Sequence, residues 1–180
     1  SPFIQQASIS IEDAHFYEHF GFRPTSFIRA VIANITSGGY SQGGSTINQQ
    51  VIKNALLTRE KTISRKLKEI LLSIKLDREL PKDTILQIYL NESPYGGTIY
   101  GVEEASLVFF GKKASEVTLT EAAYLAALPQ APTYYSPYGK HRDALEKRKN
   151  LVLERMYELG YISKEQKEVS QAESVVFEKD

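Results

Sequence analysis

The chain has no cysteine, no tryptophan, a single methionine and no excess charge of either sign. Without cysteine there can be no disulfides and no thiolate chemistry, and no redox compartment is implied. The 22 basic residues balance 22 acidic ones, so no global field draws in nucleic acid, and nucleic acid is not expected as a partner. No run of about 18 apolar residues occurs, so nothing in the sequence reads as a spanning helix. The ligand patterns HExxH, the EF-hand and clustered Cys/His are missing, and so are the P-loop Gly-Lys-Ser/Thr and the nucleophile elbow Gly-x-Ser-x-Gly. No signal peptide is visible, and Ser1-Pro2-Phe3 reads as the start of a segment cut from a longer protein.

What is present is 180 residues, 42% of them hydrophobic, enough for one compact domain over 1–180 with room for two lobes. Most of the chain reads as helix. Helices are expected at 10–20, 25–35, 46–57, 64–80, 83–91, 102–109, 121–128 and 142–159, with a last one opened by Ser163 and Gln166. Leu67, Ile70, Leu71 and Ile74 recur at helical spacing, as do Leu145, Val152, Met156 and Leu159. Thr118 with Glu121, and Ser163 with Gln166, have capping-box spacing. Gly160 fits a helix-ending residue, and Asn91 is a candidate C-cap. The segment 37–44 has four glycines in eight residues and reads as a loop, and 95–101 reads as a glycine-rich turn. No strand pattern competes, so the expected class is mainly α.

The densest chemistry lies in Ile11–Gly21, where three acids, two histidines and three aromatics share eleven residues. Read as a helix, it sets Glu12, Phe16 and His19 on one face. A carboxylate beside an aromatic wall and an imidazole suits a general base. The plain structural reading is equally available: Ser10 and Asp13 resemble a capping box, and acids favour a helix's first turn.

Four further clusters follow. Gly43-Gly44-Ser45-Thr46-Ile47-Asn48-Gln49-Gln50 leads into Lys53, with Thr46, Gln49 or Gln50, and Lys53 on one helical face. Hydroxyl, amide and ammonium groups suit a sugar–phosphate ligand, while a capped helix with a solvated face explains them as well. Arg65, Lys66 and Glu69 form either an ordinary surface ion pair or a second carboxylate with cations. In Lys82–Asn91, Ile85, Ile88 and Tyr89 read as core. Arg148 is either a surface residue of an amphipathic helix or a brace for a cleft.

In this order the clusters resemble the glycosyltransferase family 51 domain, the peptidoglycan glycosyltransferase module of class A penicillin-binding proteins and monofunctional transglycosylases. Glu12, Asp13, Phe16, His19 and Gly21 match its Glu-Asp-x-x-Phe-x-x-His-x-Gly motif. Residues 43–50 match Gly-Gly-Ser-Thr-Ile-Thr-Gln-Gln, except that Asn48 stands for threonine. Arg65, Lys66 and Glu69 match Arg-Lys-x-x-Glu, 82–91 match Lys-x-x-Ile-Leu-x-x-Tyr-Leu-Asn, and Arg148, Val152 and Leu153 match Arg-x-x-x-Val-Leu.

The resemblance implies a lysozyme-like helical lobe with a smaller, membrane-facing jaw lobe and a cleft between them. It implies inverting polymerisation of lipid II into β-1,4-linked glycan from an undecaprenyl-diphosphate-linked donor. Glu12 would be the general base, and Glu69 the second acid, holding a metal or ordering cations. Asp13, Phe16 and His19 would shape the base's surroundings. Thr46, Gln49, Gln50, Lys53, Arg65, Lys66 and Arg148 would contact substrate. Mg²⁺ or another divalent cation is the implied cofactor, with no organic cofactor. Phosphoglycolipids such as moenomycin are implied inhibitors. The implied location is the extracytoplasmic face of the bacterial cytoplasmic membrane, with an anchor helix outside this chain and a fused transpeptidase domain. The alternatives are a peptidoglycan-cleaving hydrolase or lytic transglycosylase, and a non-catalytic lipid II-binding module.

Overall fold

The computed structural model describes residues 1–25, 28, 44–56 and 62–178, and they are mainly helical. The helix expected at 25–35 and the glycine loop at 37–44 fall almost wholly outside the described residues. In chain order the elements are α1 (Pro2–Glu12), α2 (Ile47–Leu56), α3 (Ile63–Glu79), α4 (Lys82–Glu92), β1 (Pro94–Gly96), β2 (Ile99–Tyr100), α5 (Val102–Phe110), α6 (Leu119–Ala127), α7 (Arg142–Glu158) and α8 (Lys164–Ala172). They group into two compact units, Ser1–Ala14 with Leu90–Asp180, and His15–Tyr89.

The first unit is built around α6. Every one of its residues is buried, Leu119 to Ala127. A helix buried on all sides is a core helix, and its alanines let neighbours approach closely. The expected capping box of Thr118 and Glu121 opens it. Helices α1 and α7 pack on it. The inward stripe of α7 is Leu145, Lys149, Val152, Leu153 and Met156, so Leu159 does not belong to it. Gly160 ends α7 at φ +75°, with its N–H donating to the Tyr157 carbonyl and that of Tyr161 to the Met156 carbonyl. That is the Schellman pattern. The capping box of Ser163 and Gln166 opens α8 as expected.

The helix expected at 10–20 is not there. The chain is helical from Pro2 and stops at Glu12. Pro2 stands in the first turn, where its missing N–H costs nothing. Ile4, Ala7 and Ile9 are buried. Ser10 caps nothing; its hydroxyl donates back to the Gln6 carbonyl at 2.7 Å. Asp13 takes φ −159° and ψ 73°, which breaks the helix. Glu12 therefore ends a helix rather than starting one.

The turn at 95–101 carries a short antiparallel pair, β1 with β2, that the sequence pattern did not announce. Gly101, at φ +81°, follows it, and a Cβ there would lie 2.7 Å from the Asn91 carbonyl oxygen. Asn91 lies inside α4 rather than capping it.

The second unit contains α2, α3 and most of α4, with α2 packed on α3. Ile47, Val51, Ile52, Ile85, Leu86 and Tyr89 are its buried apolar residues, along with Phe16. Helix α3 inverts the usual pattern. Its buried residues are Glu69 and Ser73, whereas Ile63, Leu67 and Leu71 are 84%, 57% and 68% exposed. Leu67 and Leu71 thus belong to an outer apolar face and not to the core their spacing suggests.

Candidate active site

In the first unit, Glu12 stands at the last turn of α1, the negative end of the helix dipole, where a carboxylate is unfavourable on its own. Arg148 offsets this. Its Nη2 donates to Glu12 Oε1 at 3.2 Å, and both side chains are 11% exposed. Its Nε donates to the carbonyl of Ala127, the last residue of α6, at 2.9 Å. That carbonyl is one of those a helix leaves without an internal partner. The fork of one planar guanidinium thereby ties α1 to α6 from α7.

Tyr95, on β1, is the functional neighbour that sequence reasoning missed. It is buried, and burial pushes its phenol far above the ordinary value, with the charge of Glu12 adding to the shift. The phenol is therefore a neutral wall beside the carboxylate. The signal available was an aromatic inside a glycine-rich turn, which alone says nothing of Glu12. Asp13 is buried next to it.

Phe16 and His19 lie beyond the end of α1, so they do not share one helical face with Glu12. The physical reason is the helix break at Asp13. Phe16 is fully buried, with Tyr17 and His19 edge-on at 5.1 and 6.2 Å and Lys82 Nζ 4.9 Å above its ring. His19 Nδ1 accepts the Gly21 N–H at 3.0 Å, and Lys82 Nζ donates to the His19 carbonyl at 2.7 Å. Lys82 also pairs with Asp77 at 2.6 Å, and Asn48 Nδ2 donates to the same carboxylate at 3.0 Å. Asn48 Oδ1 is buried without a hydrogen bond. Gly21 has φ +90°, and a Cβ there would stand 2.3 Å from the Ser73 carbonyl oxygen. Only glycine fits both demands.

The second and third clusters do converge. Thr46 and Gln49 form a reciprocal cap on α2, with Gln49 Oε1 accepting from the Thr46 N–H at 3.0 Å and Thr46 Oγ1 from the Gln49 N–H at 3.2 Å. Thr46 Oγ1 also donates to the Gly21 carbonyl at 2.8 Å. Both side chains are buried. A capping residue must turn in over its helix end, and Gln49 continues into the core. Gln50 is half-buried and Lys53 exposed.

Glu69 is 2% exposed and its side chain is fully engaged. Its Oε1 accepts from Gln49 Nε2 at 3.2 Å and from Lys66 Nζ, and its Oε2 faces Arg65 Nη1 at 3.5 Å. Lys66 Nζ further donates to Ser45 Oγ at 3.2 Å. This is no ordinary surface pair: a buried carboxylate fixes two partly exposed cations. Glu69 does not fit as a divalent-cation ligand, because its oxygens are taken and the adjacent cations repel a third. Among the described residues no three His, Asp or Glu side chains converge to hold a metal.

The first unit thus carries an arginine-braced carboxylate, and the second a buried carboxylate that orders two cations. The transglycosylase family matches residues 1–157, and the chain belongs to it. It is 50% identical over 165 residues to penicillin-binding protein 1A of Aquifex aeolicus, covering 92% of this chain and 23% of that protein. It is 44% identical over 160 residues to penicillin-binding protein 1F of Bacillus subtilis, covering 89% and 22%, and 41% identical over 174 residues to penicillin-binding protein 1A of Escherichia coli, covering 97% and 20%. The chain thus spans about a fifth of the length of these curated relatives. The crystal structure of penicillin-binding protein 1A from Haemophilus influenzae aligns at TM-score 0.47 and 30% identity, covering 74% of this chain and 16% of that one.

Proposed function

We propose that the chain is a peptidoglycan glycosyltransferase domain that polymerises lipid II. The acceptor's 4-hydroxyl oxygen attacks C1 of the donor's N-acetylmuramic acid, and Glu12 takes the hydroxyl proton. The C1–O bond to the undecaprenyl diphosphate breaks, and the leaving oxygen keeps the electron pair. One displacement inverts the α-linkage to β-1,4. Lys53, Arg65 and Lys66 meet the charge that develops on the diphosphate. Glu69 and Gln49 hold those cations in place, Gln50 contacts substrate, and Thr46, Asp13, Phe16 and His19 position the segments that carry the reacting groups. Arg148 braces Glu12 and aims it.

One observation carries this reading over peptidoglycan cleavage: Glu69 is spent on Lys66 and Arg65. A hydrolase that works with the usual pair of carboxyls needs its second one free for acid–base or nucleophilic work. A transferase with a diphosphate leaving group needs ordered cations instead. The outer apolar face of α3, with Tyr17 and Phe20 of the same unit also 53% and 56% exposed, supports contact with the membrane that holds a polyprenyl substrate. An extracytoplasmic membrane location and a transpeptidase domain elsewhere in the whole protein belong to the same reading. Incubating the chain with lipid II and, separately, with finished glycan tests the reaction. Polymer growth from lipid II is expected; shortening of glycan without growth would refute transfer.

A further inference from the structure

Arg148 has a third contact besides Glu12 and Ala127. Its guanidinium carbon lies 5.5 Å from the ring centroid of Tyr135. Tyr135 is half-buried, in the irregular segment between α6 and α7. The ring is itself held. Its hydroxyl lies 3.5 Å from Gln130 Oε1, its backbone N–H donates to the Ala131 carbonyl at 2.9 Å, and the adjacent Tyr134 stacks on His141 at 4.2 Å. His141 is the N-cap position of α7, the helix that carries Arg148.

We propose that Tyr135 is a positioning residue for the general base, acting through Arg148. Two hydrogen bonds fix the guanidinium along its edge, to α6 and to α1. They leave rotation about the line joining those bonds unopposed. An aromatic face at cation–π distance opposes it and excludes water from the cation, which strengthens the pair with Glu12. A base must be aligned to within a fraction of an ångström when the acceptor hydroxyl arrives, and each loosened degree of freedom is lost from the chemical step. Tyr135 is therefore required for turnover and not for substrate capture. The phenol hydroxyl is incidental to this role, because the quadrupole that faces Arg148 belongs to the ring. This inference rests on Glu12 acting as the base of the transfer reaction.

The test is steady-state polymerisation of lipid II by the chain in detergent micelles. Tyr135→Leu is expected to lower kcat by about tenfold with KM within about twofold of wild type, and Tyr135→Phe to retain wild-type kcat. In an Arg148→Lys background, where the planar group is gone, Tyr135→Leu is expected to cost no more than about twofold further. Wild-type kcat for Tyr135→Leu, a Phe variant as impaired as the Leu one, or full multiplication of losses in the Arg148→Lys background each overturns the proposal. A Tyr135→Leu loss carried by KM alone also overturns it. No polymer from the wild-type chain itself would overturn the transfer reading, and this inference with it.

Discussion

Arg148 Nη2 donates to Glu12 Oε1 at 3.2 Å across 136 residues of sequence, and the same guanidinium anchors to the end of α6 through Nε. The pair solves a specific problem. A carboxylate at the negative end of a helix, nine-tenths removed from water, is costly unless a cation meets it. Replacing Arg148 by Met removes that cation from the buried carboxylate. The expected result is a loss of about 3 kcal/mol in urea unfolding and at least about a hundredfold loss of polymerisation rate. A variant as stable and as active as wild type would remove Arg148 from this role.

Gly21→Ala probes the backbone junction of the second unit. The new Cβ meets the Ser73 carbonyl at 2.3 Å, and φ +90° is itself unfavourable for alanine. About 3 kcal/mol of destabilisation is expected, seen as a lowered midpoint in chemical denaturation. A change under about 0.5 kcal/mol would show that the junction relaxes freely.

How far the sequence led depends on whether the signal was local. The capping boxes of Thr118 and Ser163 and the glycine end of α7 appear where the spacing put them, because a cap involves residues within one turn. The start of the chain was misread for the same reason in reverse. Ser10 and Asp13 have cap spacing, yet the buried stripe Ile4, Ala7 and Ile9 decides that the helix runs from Pro2. Tertiary burial outweighs a cap worth about 1 kcal/mol. Helix α3 was legible as a helix but not in its orientation, because periodicity reports an apolar face without saying whether that face meets protein or something outside. The motifs gave Glu12, Glu69 and Arg148 as candidates. Their partners, Arg148 for Glu12 and Gln49 for Glu69, depend on contacts between distant segments, which spacing does not encode.

Stability is expected to fall in alkali. Tyr95 and Tyr124 both have phenols pushed far above the ordinary 10.0, mainly by burial, with Glu12 adding to the first and the hydrogen bond to Glu146 adding to the second. In the unfolded chain they ionise near 10.0, while in the fold they stay neutral. Above that pH the unfolded state has lost protons that the folded state keeps, so the stability both phenols contribute is full below 10.0 and drains as pH rises. Each tyrosine adds a slope of up to about 1.4 kcal/mol per pH unit. Denaturant unfolding between pH 8.5 and about 11 should show the fall, and Tyr95→Phe and Tyr124→Phe should each flatten it. Parallel curves for wild type and both variants would contradict this.

Glu69→Gln removes the charge that fixes Lys66 and Arg65 while keeping the shape. A stability loss of about 2 kcal/mol is expected, with a large drop in polymerisation. Added Mg²⁺ should not restore wild-type activity, because the residue orders cations and does not hold a metal. Dependence of wild-type activity on Mg²⁺ that disappears in Glu69→Gln would point instead to a metal at Glu69.

The central claim is that Glu12 is the base of a transfer reaction, and Glu12→Gln tests it most directly. Polymerisation of lipid II and binding of moenomycin should be measured on the same folded variant. The expected result is no detectable polymer with inhibitor binding largely kept, since the amide preserves shape and cannot take the acceptor proton. Polymer formed at the wild-type rate by Glu12→Gln would contradict the account.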